Sequence, residues 1–185
     1  MLVDYPCAHC GQKSEAARIF FSLNVLSVIE LMEQYTDLEY NIDIAFKPKI
    51  VKANNITILI LFCTLYEVLF YNLLKSLMRA RRLPPNIQER LLKDNISITR
   101  QIDKLYPSLT GVKWSETITS IKCNKATDFY NKAARLRNIV IHKANNWCLP
   151  SNISKECIIN VVPLLSLFVD VNNKYVAKKG KNTIK

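Results

Sequence analysis

Apolar positions recur along most of this chain at three- and four-residue intervals, the spacing of one face of an α-helix. The first such stretch opens at Ser14, which can cap a helix whose first turn carries Glu15. Ile19, Leu23, Leu26 and Ile29, with Glu30 and Glu33, predict an amphipathic helix reaching Tyr35. The period is lost from Asp37 to Lys52, and Pro48 argues against a continuous helix there. That segment reads as an irregular connection with a short strand over Tyr40–Phe46. Asn54 and Asn55 are helix-entry residues for Ile56–Arg82, the longest helical stretch. Its first part, Ile56–Phe70, is nearly all apolar, and a membrane span needs about 20 such residues. Here Glu67, Asn72 and Lys75 intervene, and Thr57, Thr64, Tyr66 and Tyr71 add polar groups. The pattern predicts the central helix of a soluble bundle, in which Glu67 calls for a cationic partner.

Leu83-Pro84-Pro85 breaks the chain, and Asn86 starts a short helix over Ile87–Lys93. A further turn or two is predicted across Ile98–Leu105, a loop at Pro107 and Gly111, and an amphipathic piece around Trp114–Ile121. Lys125–Lys143 is the next strong helix, with Phe129, Ala133, Leu136 and Val140 as its core stripe. After a loop containing Asn145, Asn146, Pro150 and Asn152, Ser154 caps a last apolar helix over Lys155–Val176, which Pro163 should kink. The expectation is an all-α chain of four or five main helices packed as a bundle. Residues 1–50 form an N-terminal extension with one helix, 51–178 the bundle, and 179–185 a basic tail.

Composition narrows the function classes. Three glycines leave no Gly-rich phosphate loop, and neither G-x-x-x-x-G-K-[ST] nor G-x-G-x-x-G occurs. Lys and Arg number 26 against 15 acidic residues, a formal charge of +11, so a polyanion is the expected partner, nucleic acid before an anionic membrane surface. The run Arg79, Arg81, Arg82 complements the negative end of its helix and could also touch RNA phosphates, as could Lys143. Six cysteines show no disulfide ladder and no signal-peptide pattern precedes them, so a reducing cytoplasm is expected. Cys7-Ala8-His9-Cys10-Gly11 resembles half of a zinc knuckle, with Cys7 and Cys10 as ligands and Cys148 and Cys157, or a second subunit, as the source of the rest. An unliganded remnant is the alternative.

The polar cluster that interrupts the apolar pattern is Arg135-Leu136-Arg137-Asn138-Ile139-Val140-Ile141-His142-Lys143. An arginine holds a phosphate through a planar fork of donors, and an imidazole moves a proton near neutral pH. On an ideal helix His142 lies about 140° round from Arg137. The two converge only if the helix ends or distorts near Ile141, or if two copies of the chain meet.

Arg137-Asn138-x-x-x-His142 resembles the signature of the HEPN superfamily (higher eukaryote and prokaryote nucleotide-binding domains): an Arg, a polar residue after it, then a His. Tyr66-Glu67 on a long apolar helix, followed by Leu83-Pro84-Pro85-Asn86-Ile87, is similar to one bacterial branch. The resemblance covers about Asn54–Tyr175 and does not include the C-x-x-C segment. It implies a helical bundle that dimerises with its motifs facing, and metal-independent endoribonuclease activity in toxin–antitoxin, abortive-infection or other anti-phage systems, with a possible antitoxin protein as partner. Arg137 would clamp the scissile phosphate and His142 would move a proton. Asn138 would orient the histidine or the ribose, and Glu67 would hold the guanidinium. The alternative is a non-catalytic nucleic-acid-binding or dimerisation module of the same fold, in which Arg137 only pairs with Glu67.

Overall fold

The computed structural model describes residues 23–40, 47–143 and 149–177, and these are all-α, with no strand among them. In chain order the helices are α1 (Leu23–Tyr40), α2 (Lys47–Ala80), α3 (Pro85–Asp94), α4 (Ile98–Arg100), α5 (Tyr106–Thr110), α6 (Trp114–Ser120), α7 (Asn124–Lys143), α8 (Ile153–Ile159) and α9 (Val161–Asn172). A π turn over Gln101–Leu105 joins α4 to α5, and another over Asn173–Ala177 follows α9.

Several boundaries differ from the pattern, each for a local reason. Helix α1 continues past Tyr35 to Tyr40, with Thr36 bonding back to the Met32 carbonyl at 2.8 Å. Helix α2 begins at Lys47, so Pro48 lies in its first turn, where an N–H has no intrahelical acceptor to lose. Of the strand placed at Tyr40–Phe46, Tyr40 is helical and residues 41–46 lie outside the described residues. Asn54 and Asn55 are interior to α2, buried, and bonded to backbone carbonyls far away in the chain. Asn54 Nδ2 donates to the Tyr35 carbonyl at 3.0 Å, and Asn55 Nδ2 reaches the Ser151 carbonyl at 3.4 Å.

The helix also runs through Pro107 rather than looping there. The Tyr106 N–H bonds five residues back to Gln101, and this wider turn accommodates the proline that follows. Gly111, at φ +83°, ends α5. The last apolar stretch breaks at Asn160, three residues before Pro163, because the proline ring crowds the carbonyl of Ile159 and supplies no N–H to it.

The chain divides into two compact units. Among the described residues, one comprises 23–68 with 124–164: α1, the first part of α2, α7 and α8. Its core holds Val25, Met32, Ile58, Phe62, Cys63 and Tyr66, with Tyr130, Ala133, Ile153 and Cys157. Phe62 meets Phe129 edge to face at 5.2 Å, and Tyr66 stacks on Tyr130 with ring centroids 3.4 Å apart. Lys132 Nζ on α7 pairs with Glu156 Oε2 on α8 at 2.9 Å.

The other unit comprises 69–123 with 165–177. Phe70 sits among Tyr106, Trp114 and Phe168 at 5.0–6.1 Å between ring centroids. Two pairs of its polar side chains are bonded to each other inside that apolar shell. Ser76 donates to Asn172 Oδ1 at 2.7 Å, and the Tyr106 hydroxyl donates to Thr117 Oγ1 at 2.9 Å. Burial pushes the Tyr106 phenol up, the Thr117 bond only partly opposing it. Two turns here close on left-handed residues that are not glycine, Arg82 (φ 57°) and Lys122 (φ 58°). Each is followed by the six-residue return bond of a helix C-cap, Leu83 N–H to Met78 O and Cys123 N–H to Ile118 O. A side chain in this conformation costs roughly 1–2 kcal/mol. Lys122→Gly, at an exposed position, is expected to stabilise the protein by about 0.5–1 kcal/mol after the glycine's added unfolded-state entropy. A higher urea midpoint at unchanged slope is the measurement that checks it.

Candidate functional site around Arg137

The buried residues of α7 are Ala126, Tyr130, Ala133 and Val140. Arg137 falls on this same stripe, at i, i+4, i+7, i+11 and i+14 from Ala126. The guanidinium is therefore carried inward on the packed face, between a buried alanine and a buried valine. Leu136 and Phe129, expected on the core side, are half-buried at its edge.

What meets Arg137 there is Glu67 of α2. Arg137 Nη1 donates to Glu67 Oε1 at 2.6 Å, the arginine side chain being 20% and the glutamate 39% exposed. Burial works against the guanidinium's charge, but the Glu67 hydrogen bond and the acidic groups of Cys63, Glu67 and Tyr130 together raise its pKa. The arginine is thus held as a fixed cation. Its other edge is differently engaged: Nε and Nη2 both point at Asn138 Oδ1, each at 3.4 Å. These are long bonds to an exposed neighbour. That edge is the fork with which arginine takes two oxygens of a phosphate or carboxylate, and the Asn138 oxygen is the occupant a ligand would displace.

Two neighbours sit deeper. Burial pushes the Cys63 thiol up to about 12, with Arg137 pulling it down and Glu67 pushing it further up. The Tyr130 phenol is raised by burial first, then by Glu67 and Cys63, against the pull of Arg137. Both are protonated acids at neutral pH and serve as packing under the ion pair. Neither was singled out in the sequence. The signal for Tyr130 was present, since the stripe through Ala126, Tyr130, Ala133 and Val140 has the same period as the one through Phe129 and Leu136.

His142 is exposed near the end of α7. The helix is α-helical through Lys143, with no end or distortion at Ile141 to bring His142 toward Arg137. Within one copy they leave the helix about 140° apart and about 7.5 Å along it. Arg79, Arg81 and Arg82 are exposed at the end of α2, in the other unit. Lys143 closes α7, its side chain outside the described set, as are Cys7, Cys10 and Cys148. Cys157 is fully buried, and burial, then Cys63 and Glu156, raise its thiol pKa against Lys132. Among the described residues no group of three His, Cys, Asp or Glu side chains converges.

Helix α2 is long and apolar enough over Asn54–Ala80, by length and composition, to cross a membrane, with half of its most apolar window buried inside the protein. Comparison with protein families, with curated proteins and with solved structures found no match.

Proposed function

We propose that this chain is a HEPN-type endoribonuclease of the cytoplasm, active as a homodimer and serving a toxin–antitoxin, abortive-infection or other anti-phage role. The observation that carries the reading is the way Arg137 is mounted. Glu67 fixes one side of the guanidinium, while the Nε/Nη2 fork is left against a weakly held, exposed amide oxygen. A scissile phosphate entering that fork would exchange with Asn138, which is then free to orient the ribose or the histidine. The RNA 2′-oxygen attacks phosphorus as its proton passes to a base, and the P–O5′ bond breaks as a proton reaches the leaving 5′-oxygen. The products are a 2′,3′-cyclic phosphate and a 5′-hydroxyl. An internal nucleophile requires no metal, and it restricts the reaction to RNA. His142 supplies the base or the acid, worth about 10²–10⁴ in rate. Arg137 stabilises the charge that develops on the phosphorane.

A regular α7 separates Arg137 from His142, so this reading needs the histidine of a second copy. The same observation favours a rival: a non-catalytic nucleic-acid-binding or dimerisation module in which the Glu67–Arg137 pair is only an ion pair between helices. The deciding experiment incubates cellular RNA and tRNA, in EDTA, with the wild-type protein and with His142→Ala. Cyclic-phosphate ends produced by the wild type alone support the nuclease. Equal RNA binding with no cleavage by either supports the module. Equal cutting by both moves the activity away from His142.

A further inference from the structure

Helix α2 leaves one side uncovered beyond Val68, and it carries an aromatic ring followed by cations. Tyr71 is 38% exposed, Lys75 is half-buried and Arg79 is exposed, four residues apart along one strip. Each step of four residues advances about 6 Å. The Lys75 ammonium lies over the Tyr71 ring, 4.8 Å from its centroid. Arg82 is exposed in the turn that follows. No acidic residue occurs between Val68 and Arg82 along the chain. Arg81 turns elsewhere, lining a small hollow with Leu77, Leu109, Thr110 and Tyr175.

We infer that Tyr71, Lys75 and Arg79 form a docking strip for single-stranded RNA, with Tyr71 as a base-stacking platform and the two cations on successive phosphates. A duplex presents phosphates but keeps its base faces stacked, whereas a single strand offers both. The ammonium over the ring is on a flexible four-carbon stem. A phosphate would draw it off and leave the ring face to a base, so charge and stacking engage together. An anionic bilayer would meet the cations and take the tyrosine at its headgroup level, but it would not distinguish a single strand from a duplex. The strip rests on the proposed RNA reading for the identity of its ligand, and it does not depend on cleavage.

The test measures binding of a fluorescein-labelled 12-nucleotide RNA, alone and annealed to its complement, to the full chain carrying His142→Ala, so that cutting does not interfere. Tighter binding of the single strand is expected. Tyr71→Leu should weaken it by about 5- to 100-fold, Tyr71→Phe should restore it, and neither should alter duplex binding. Lys75→Gln and Arg79→Gln should each lower the salt slope by about 0.7, which Arg81→Gln should not. Equal affinity for strand and duplex, insensitive to Tyr71→Leu, overturns the inference. So does a Tyr71→Leu defect confined to phosphatidylserine vesicles. Cleavage by the otherwise wild-type protein is read separately. Its absence with the Tyr71 effect intact sinks the nuclease and spares the strip, and the converse result does the opposite.

Discussion

Mixing the Arg137→Ala and His142→Ala proteins, each nearly inactive alone, is expected to restore about a quarter of wild-type RNA cleavage, if each site combines the arginine of one copy with the histidine of the other. The expectation follows from the regularity of α7. Arg137 is on its inward stripe with Ala133 and Val140, while His142 is exposed on another side of the same unbroken helix. One copy therefore holds the Arg137 guanidinium with no imidazole beside it. In a twofold dimer half of the mixed population pairs unlike variants, and each such pair rebuilds one complete site and leaves one empty. Alone, His142→Ala should lose about 10²–10⁴ of the rate and Arg137→Ala about 10²–10³. Cyclic-phosphate ends counted across a mixing series are the readout. A curve that never rises above the sum of the two single variants would place both groups in one copy, or neither in a site.

Why the pairing of Arg137 with Glu67 was legible in the sequence and its setting was not is a matter of what periodicity encodes. An apolar period of three and four residues reports a helix with a buried side, so α2, α7 and α9 could be read from Ile56, Ala133 and Leu164 and their neighbours. The same period does not say which of two overlapping stripes faces inward. Phe129 and Leu136 are the larger apolar groups, yet Tyr130 and Arg137 took the inner positions, because Tyr66 offers a ring to stack on and Glu67 a carboxylate. Polar residues were misread for a related reason. Asn54 and Asn55 look like helix entries because their side chains bond backbone groups, and that ability was used instead to reach Tyr35 and Ser151 across the unit. Prolines mislead where a helix can take them in its first turn, as at Pro48, or after a widened turn, as at Pro107.

The site's dependence on packing predicts that Tyr130→Ala will be costly to fold and function together, while Tyr130→Phe will be tolerated below pH 10. Tyr130 is 4% exposed and lies face to face with Tyr66, the residue before Glu67, while Arg137 follows two turns later on α7. Removing the ring leaves a cavity where α7 meets α2, at about 3–5 kcal/mol, a large part of the 5–15 kcal/mol of a typical domain. The same change loosens the spacing that sets Arg137 against Glu67. Cleavage should thus fall even where circular dichroism shows the helices intact. Phenylalanine keeps the stacked ring and removes the hydroxyl, whose ionisation burial opposes. A phenol whose folded pKa lies above its unfolded value contributes its full stability below pH ~10 and loses it as pH rises, at roughly 1.4 kcal/mol per unit. Cys63, raised to about 12, gives way over the range above pH ~9 in the same sense. Urea midpoints of wild type and Tyr130→Phe should run together to pH 9 and separate above 10, with the phenylalanine variant the more stable. Parallel curves to pH 11 would mean that the Tyr130 hydroxyl reaches water, and that the ion pair rests on a looser floor than the stacked rings describe.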